Sequence, residues 1–222
     1  MTNIQKSIRY PKKCMEINLK GTKNVVDACI LNHCSLIFAS SSAVYPINYK
    51  KKITESIKTK PSSPYGISKR EAEKLILLRK KKLPQYSILR FFNIYGKGQN
   101  PNSFYSSVIP KFIKQAKNNE ILKINNDGNQ SRDFININDV IKVYKKIYYK
   151  RLSGVFNVGT SKAIKINFLA NYIVKKIGKG KIVTGYNRMH DAFYSCASTS
   201  KLRKKIKYQI SYNLKKGIDS ML

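Results

Sequence analysis

The chain has 222 residues, with 44 Lys and Arg against 11 Asp and Glu and a formal charge of +33. That length buries one substantial core with a small lobe appended, no run of about 18 apolar residues is present to cross a bilayer, and the opening MTNIQKSIRYPKK lacks the apolar stretch of a secretion signal. Such a charge usually points to a polyanion, but the lysines fall in dispersed clusters such as Lys50 to Lys52 and Lys80 to Lys82, with no stripe interleaved with stacking aromatics, so nucleic acid is not expected as the main partner.

Hydrophobic periodicity predicts a helix from about Lys12 to Asn32 and a strand from Ser35 to Ala39. A polar loop, Ile47 to Lys60, precedes a helix that begins at Ser62-Ser63-Pro64 with hydroxyl caps and proline in its first turn, and ends near Lys82. A buried strand, Tyr86 to Phe92, leads into a Gly/Asn/Pro loop and a helix around Ser107 to Lys117. Short strands at Ile121 to Asn125 and Asp133 to Asn136 flank the turn Asp127-Gly128, and Asn138 is the expected cap of a helix reaching Tyr149. A strand at Val155 to Val158, a helix at Asn167 to Ile177 and short helices at Thr199 to Ile206 and Leu214 to Met221 complete the chain. Alternating strands and helices imply a parallel sheet covered on both faces.

Two side chains carry chemistry. Tyr65 and Lys69 stand four residues apart in SPYGISK, hence on one helical face. A phenol has a pKa of about 10 in solution, and lowering it to about 7 takes roughly 4 kcal/mol. An ammonium about 4 Å away at an effective dielectric near 20 supplies that much. Upstream, Ser40, Ser41 and Ser42 follow an apolar strand, at the strand end where open α/β sheets place their ligands. The four cysteines, Cys14, Cys29, Cys34 and Cys196, show no C-x-x-C pair, and His33 and His190 are scattered, so free thiols of a cytoplasmic protein and no metal are expected.

With these motifs in order, the chain resembles the extended short-chain dehydrogenase/reductase family, specifically its NAD-dependent nucleotide-sugar epimerases and dehydratases. The resemblance is carried by NLKGTKNVVDAC, IFASSSAVYP, SPYGISK, RFFNIYGKGQNP, LKINNDGNQSRDFININDV, GVFNVGT and ASTSKLRKKI, and runs from about Ile8 to the end. It implies an α/β fold, a Rossmann-type doubly wound parallel sheet lacking its first strands, with a small α/β substrate lobe. Residues 1–98 plus 137–159 would form the partial NAD-binding domain, and 99–136 plus 160–222 the nucleotide-sugar lobe. The implied reaction is transient oxidation at the sugar C4. Tyr65 would take the 4-hydroxyl proton, Lys69 would lower the tyrosine pKa, and Ser41 would relay the proton. Ser40, Phe92 and Asn18, with Tyr65 and Lys69, would contact NAD, while Ser42, Asn93, Val108, Arg132, Arg188 and Asp191 would contact the nucleotide-diphosphate sugar.

Three departures shape the expectation. No glycine-rich turn follows a first strand: Gly96-Lys97-Gly98 and Gly178-Lys179-Gly180 open a G-x-G pattern, but Pro101 and Val183 occupy the third glycine's place. The chain therefore reads as an N-terminally truncated enzyme whose first strand lacks a neighbour. Pro46 and Asn125 stand where many relatives have glycine and a base-stacking aromatic, leaving the base open. Ser42 and Ala43 replace the acidic pair of the dehydratases, favouring epimerisation. A GDP-sugar epimerase-reductase, a dehydratase or an inactive sugar-nucleotide-binding remnant are the alternatives, and a homodimer is expected if the fold is completed.

Overall fold

The computed structural model describes residues 1–47, 49–101, 107–186 and 192–222. Helix α1 (Ile4–Arg9) starts at Asn3, whose side chain accepts the Lys6 N–H at 2.6 Å. Pro11 opens α2 (Pro11–Met15), which runs through one π-helical turn, Glu16–Lys20, into α3 (Gly21–Leu31). The single helix expected from Lys12 to Asn32 is thus widened at Asn18, and π turns of this kind are frequent at functional sites.

Strand β1 (Leu36–Ser41) ends in a 3₁₀ turn, Ser42–Val44. Helix α4 (Pro64–Leu78) is capped by Ser63, whose hydroxyl accepts the Gly66 N–H at 3.2 Å, and tightens into a separate 3₁₀ turn at Lys80–Lys82. Strands β2 (Tyr86–Phe91) and β3 (Asn93–Tyr95), helix α5 (Val108–Lys117), strands β4 (Ile121–Asn125) and β5 (Ser131–Asn136) and helix α6 (Ile137–Tyr149) follow. The α6 cap is Asn136, not Asn138: the Asn136 side chain accepts the Asn138 N–H at 2.9 Å. Then come β6 (Gly154–Val158), β7 (Ala163–Lys165), α7 (Ile166–Ile177), β8 (Lys181–Tyr186), β9 (Tyr194–Ser195), α8 (Ser200–Ile206) and α9 (Leu214–Asp219).

Strands β1, β2 and β6 form a parallel sheet in that order, with Leu36 opposite Tyr86 and Ser87 opposite Gly154. Among the described residues β1 pairs with β2 alone and stands at the edge of this sheet. The strands flanking Asp127-Gly128 do not pair with each other. β4 runs parallel to β8, while β5 pairs with β3, β7 and β9.

Both faces of the first sheet are covered, which explains its continuous apolar strands. On one face Val26 of α3 and Ile76 of α4 pack with Leu36 and Ile88. On the other, Val140, Val143 and Ile147 of α6 and Leu202 and Ile206 of α8 pack with Leu89, Phe156 and Val158. Residues 202–208, assigned from sequence to the substrate lobe, thus contribute to this sheet's core. A second core joins α5, α7 and β4 around Phe112, Leu122 and Leu169. Each such fully buried aliphatic side chain contributes about 2 kcal/mol.

Candidate active site

The N-terminus of α4 is held from three sides. Ser63 caps it, Pro64 sets the first turn, and the Tyr65 backbone N–H donates to the Ser7 hydroxyl at 3.1 Å. Ser7 is fully buried and donates in turn to the Ile4 carbonyl at 2.6 Å. Gly66 allows close approach to the turn after β1. A Cβ there would overlap the Ala43 carbonyl oxygen and lie 2.8 Å from the Pro61 Cβ.

This packing brings Tyr65, Lys69 and Ser41 together at the carboxyl end of β1, all three half-buried. The Lys69 ammonium donates to the Ala39 carbonyl at 2.8 Å and lies 4.9 Å from the Phe38 ring centroid and 5.9 Å from that of Tyr65. Burial raises the Tyr65 phenol above its ordinary pKa of 10.0, while a hydrogen bond with Ser41 acts the other way. Burial also lowers the Lys69 ammonium, with Cys14 and Glu73 opposing. The expected depression of the Tyr65 pKa by Lys69 is therefore absent. Burial is the largest influence on the phenol, and the ammonium is directed to the Ala39 carbonyl.

The other candidates divide. The Ser40 hydroxyl donates to Glu73 at 2.5 Å, and Glu73 pairs with the buried Arg90, so this side chain braces the sheet. Phe92 is buried against Tyr45, Ile53 and Ala197. Asn18 donates to the Ser68 hydroxyl at 2.9 Å and the Met1 carbonyl at 2.8 Å, bracing α4 one residue before Lys69. Ser42 opens the 3₁₀ turn beside Ser41. Asn93, at the start of β3, donates to the Asp133 carbonyl at 3.2 Å. Val108 packs on the second core from the first turn of α5, and Arg132 on β5 donates to the Ser131 carbonyl at 2.8 Å. Arg188 and Asp191 lie outside the described residues.

Ser7 and Gly66 position the tyrosine yet were not picked out by sequence. Ser7 lies 58 residues from its partner, with no local signal, whereas Gly66 in the helix's first turn was a visible cue. Asp133 was also missed. Its carboxylate accepts the Thr160 N–H at 2.7 Å, the Ser161 N–H at 3.0 Å and the Ala197 N–H at 3.1 Å, tying β5 to the loop after β6.

The fit to a nicotinamide dinucleotide is one-sided. The Tyr65 phenol, Lys69 ammonium and Ser41 hydroxyl are suited to a nicotinamide and its ribose. The pyrophosphate needs backbone N–H groups of a glycine-rich turn, and β1 leads instead into the Ser42–Val44 turn. Among the described residues no cluster of His, Cys, Asp and Glu suits a metal, and no helix is long and apolar enough to cross a membrane.

Comparison with known proteins supplies context. The profile of the NAD dependent epimerase/dehydratase family matches residues 1–159. A protein of Methanocaldococcus jannaschii, provisionally named a UDP-glucose 4-epimerase, is 34% identical over 180 residues, which cover 79% of this chain and 58% of that relative. The chain thus spans little more than half of that relative's length. The structure of a UDP-glucose 4-epimerase from Thermotoga maritima with UDP-glucose superposes with a TM-score of 0.94 at 26% identity, covering 100% of this chain and 73% of that one. A UDP-N-acetylglucosamine 4-epimerase from Methanobrevibacter ruminantium, in complex with UDP-N-acetylmuramic acid, gives 0.91 at 30% identity, covering 99% and 73%.

Proposed function

The chain belongs to the NAD dependent epimerase/dehydratase family, and we propose that it carries the tyrosine–lysine half of an NAD-dependent nucleotide-sugar 4-epimerase site. The observation that carries this reading is the convergence of Tyr65, Ser41 and Lys69 at the end of β1. When bound, the dinucleotide accepts a hydride from the sugar C4 and returns it. Tyr65, acting from its phenolate form, takes the proton of the 4-hydroxyl as the C4–H and O–H bonds break, and as the phenol gives it back when the 4-keto sugar is reduced on its opposite face. Ser41 holds the 4-oxygen and relays that proton. Lys69 turns from the Ala39 carbonyl to support the phenolate.

Residues 99–136 and much of 160–222 form the lobe that receives the nucleotide-diphosphate sugar, with Ser42, Asn93, Val108 and Arg132 as contacts and Arg188 and Asp191 as further sequence-based candidates. Arginine is suited to the diphosphate because its planar guanidinium donates in pairs. The absence of a carboxylate at Ser42 and Ala43 favours epimerisation over dehydration. A second reading is sugar-nucleotide binding without redox chemistry, since these 222 residues contain no G-x-x-G-x-x-G turn to hold a pyrophosphate. The homodimer is part of the first reading, and free thiols at Cys14, Cys29, Cys34 and Cys196 suit a cytoplasmic location.

Thermal unfolding of the chain with UDP-glucose, UDP-N-acetylglucosamine and NAD+ tests these readings. A sugar nucleotide at about 100 times its Kd stabilises by about 2.7 kcal/mol. Stabilisation by a UDP-sugar but not by NAD+ alone is expected. No response to any nucleotide sugar overturns the reading, and a response to NAD+ alone shows that the cofactor does not need the glycine turn.

A further inference from the structure

We propose that the exposed face shared by α6 and α8 binds single-stranded nucleic acid. Lysine clusters that look dispersed in sequence are gathered here by the fold. The Lys146 ammonium donates to the Ile206 carbonyl at 3.2 Å and the Lys207 carbonyl at 3.4 Å, so α6 is pinned to the end of α8. Lys142 likewise reaches the Ser211 hydroxyl at 2.7 Å. Lys142, Lys145, Lys146 and Tyr149 recur at helical spacing on one exposed face of α6, away from its buried Val140, Val143 and Ile147. Lys204, Lys205 and Lys207 extend the same positive surface from α8.

Acidic residues are sparse along it, although the Asp139 carboxylate lies 4.0 Å from the Lys142 ammonium. Between Ile137 and Val158, and between Ala197 and Ile218, the sole acidic residue is Asp139. Asp139 is fully buried, where it accepts the backbone N–H groups of Ser211 and Tyr212. Within this field Tyr148 and Tyr149 are 60% and 78% exposed, with their rings edge to face at 5.4 Å. A cationic surface with open aromatic faces suits unpaired bases on a phosphate backbone. A duplex keeps its bases stacked on one another and offers those rings nothing. An anionic bilayer fits less well, because surface-bound helices insert an apolar stripe, and the apolar stripe of α6 is already packed in the core. The face lies across the sheet from α4, so binding there leaves Tyr65 and Lys69 accessible.

Fluorescence anisotropy of the whole chain with labelled single-stranded oligo-dT, across a potassium chloride series, tests the proposal. Binding should weaken with salt along a slope of about −0.7 per phosphate neutralised. The combined variant Lys145→Glu, Lys204→Glu, Lys205→Glu should bind at least about tenfold more weakly and with a flatter slope. Tyr149→Ala should lose about tenfold with the slope unchanged, since it removes stacking and no charge. Lys50→Glu, Lys51→Glu, Lys52→Glu makes an equal charge change on another exposed segment and should lose much less. Equal losses from the two triple variants, no loss from Tyr149→Ala, or tighter binding to phosphatidylserine vesicles than to oligo-dT would each overturn it. Should the α6/α8 triple variant fail to fold, Tyr149→Ala decides.

Discussion

The Ser7 hydroxyl accepts the backbone N–H of Tyr65 at 3.1 Å, so the first helix of the chain caps the helix that carries the tyrosine. Ser7→Ala leaves that N–H without a partner in a buried setting, at a cost of about 1–3 kcal/mol. Urea unfolding should show the loss as a lower midpoint with the slope retained. Hydrogen exchange at the Tyr65 amide should accelerate alongside it. An unchanged midpoint would mean that the contact contributes nothing.

A second support lies deeper. Arg90 and Glu73 are 6% and 3% exposed, joined by contacts of 2.6 and 3.0 Å, with Ser40 and Tyr45 completing the network. Removing one charge from such a pair strands the other and costs about 3–5 kcal/mol, whereas replacing both with apolar groups is often nearly neutral. Glu73→Leu should therefore destabilise strongly, and Glu73→Leu with Arg90→Met should recover most of the loss. A double-mutant cycle by urea unfolding measures the coupling. Additive losses would show that the two side chains act independently.

What the sequence revealed follows from the range of the forces involved. Helices α4, α5 and α7 were legible because period and caps are local signals, written in runs such as Ser63-Pro64 and Ile166 to Ile177. The π turn at Asn18 was not, because it depends on α2 and α3 meeting α4 through Ser68. Strand β8 carries Lys181, Thr184 and Gly185 and pairs with β4, some sixty residues earlier, so its identity lies in a distant partner. Spacing placed Tyr65 and Lys69 on one face, but the direction of the ammonium was set by Ala39. Among consecutive serines, position alone could not show that Ser40 turns to Glu73 while Ser41 meets Tyr65.

Tyr95 gives a pH prediction whose sign can be worked out. Its hydroxyl is fully buried, and burial, with Asp139 adding and a hydrogen bond with Asn136 opposing, pushes its pKa up to about 12. In the unfolded chain a tyrosine ionises near pH 10, so above that pH the folded state holds more protons. Its contribution to stability is then present below pH 10 and lost as pH rises toward 12. Tyr45, also pushed up to about 12 by burial, and Tyr65 act in the same direction. Urea midpoints should be level below about pH 10 and fall above it. Tyr95→Phe should lessen the fall. A steeper alkaline loss in Tyr95→Phe would contradict this account.

Two glycines in helices should respond in opposite ways to alanine. A helical Gly→Ala substitution ordinarily gains about 0.5–1 kcal/mol. Gly21, at the start of α3, has open space where a Cβ would stand, so Gly21→Ala should stabilise by that order. Gly66 faces the Ala43 backbone and Pro61, and neither is the far end of a flexible side chain. Gly66→Ala must push α4 away from the turn after β1, and overpacking of this kind costs about 1–3 kcal/mol, more than propensity returns. The movement also separates Tyr65 from Ser41, so an alkaline titration of the Tyr65 phenol should shift upward as that hydrogen bond is lost. Urea unfolding of both variants supplies the comparison. A stabilised Gly66→Ala protein would show that the close approach of α4 to the serine turn is not what holds the tyrosine in place.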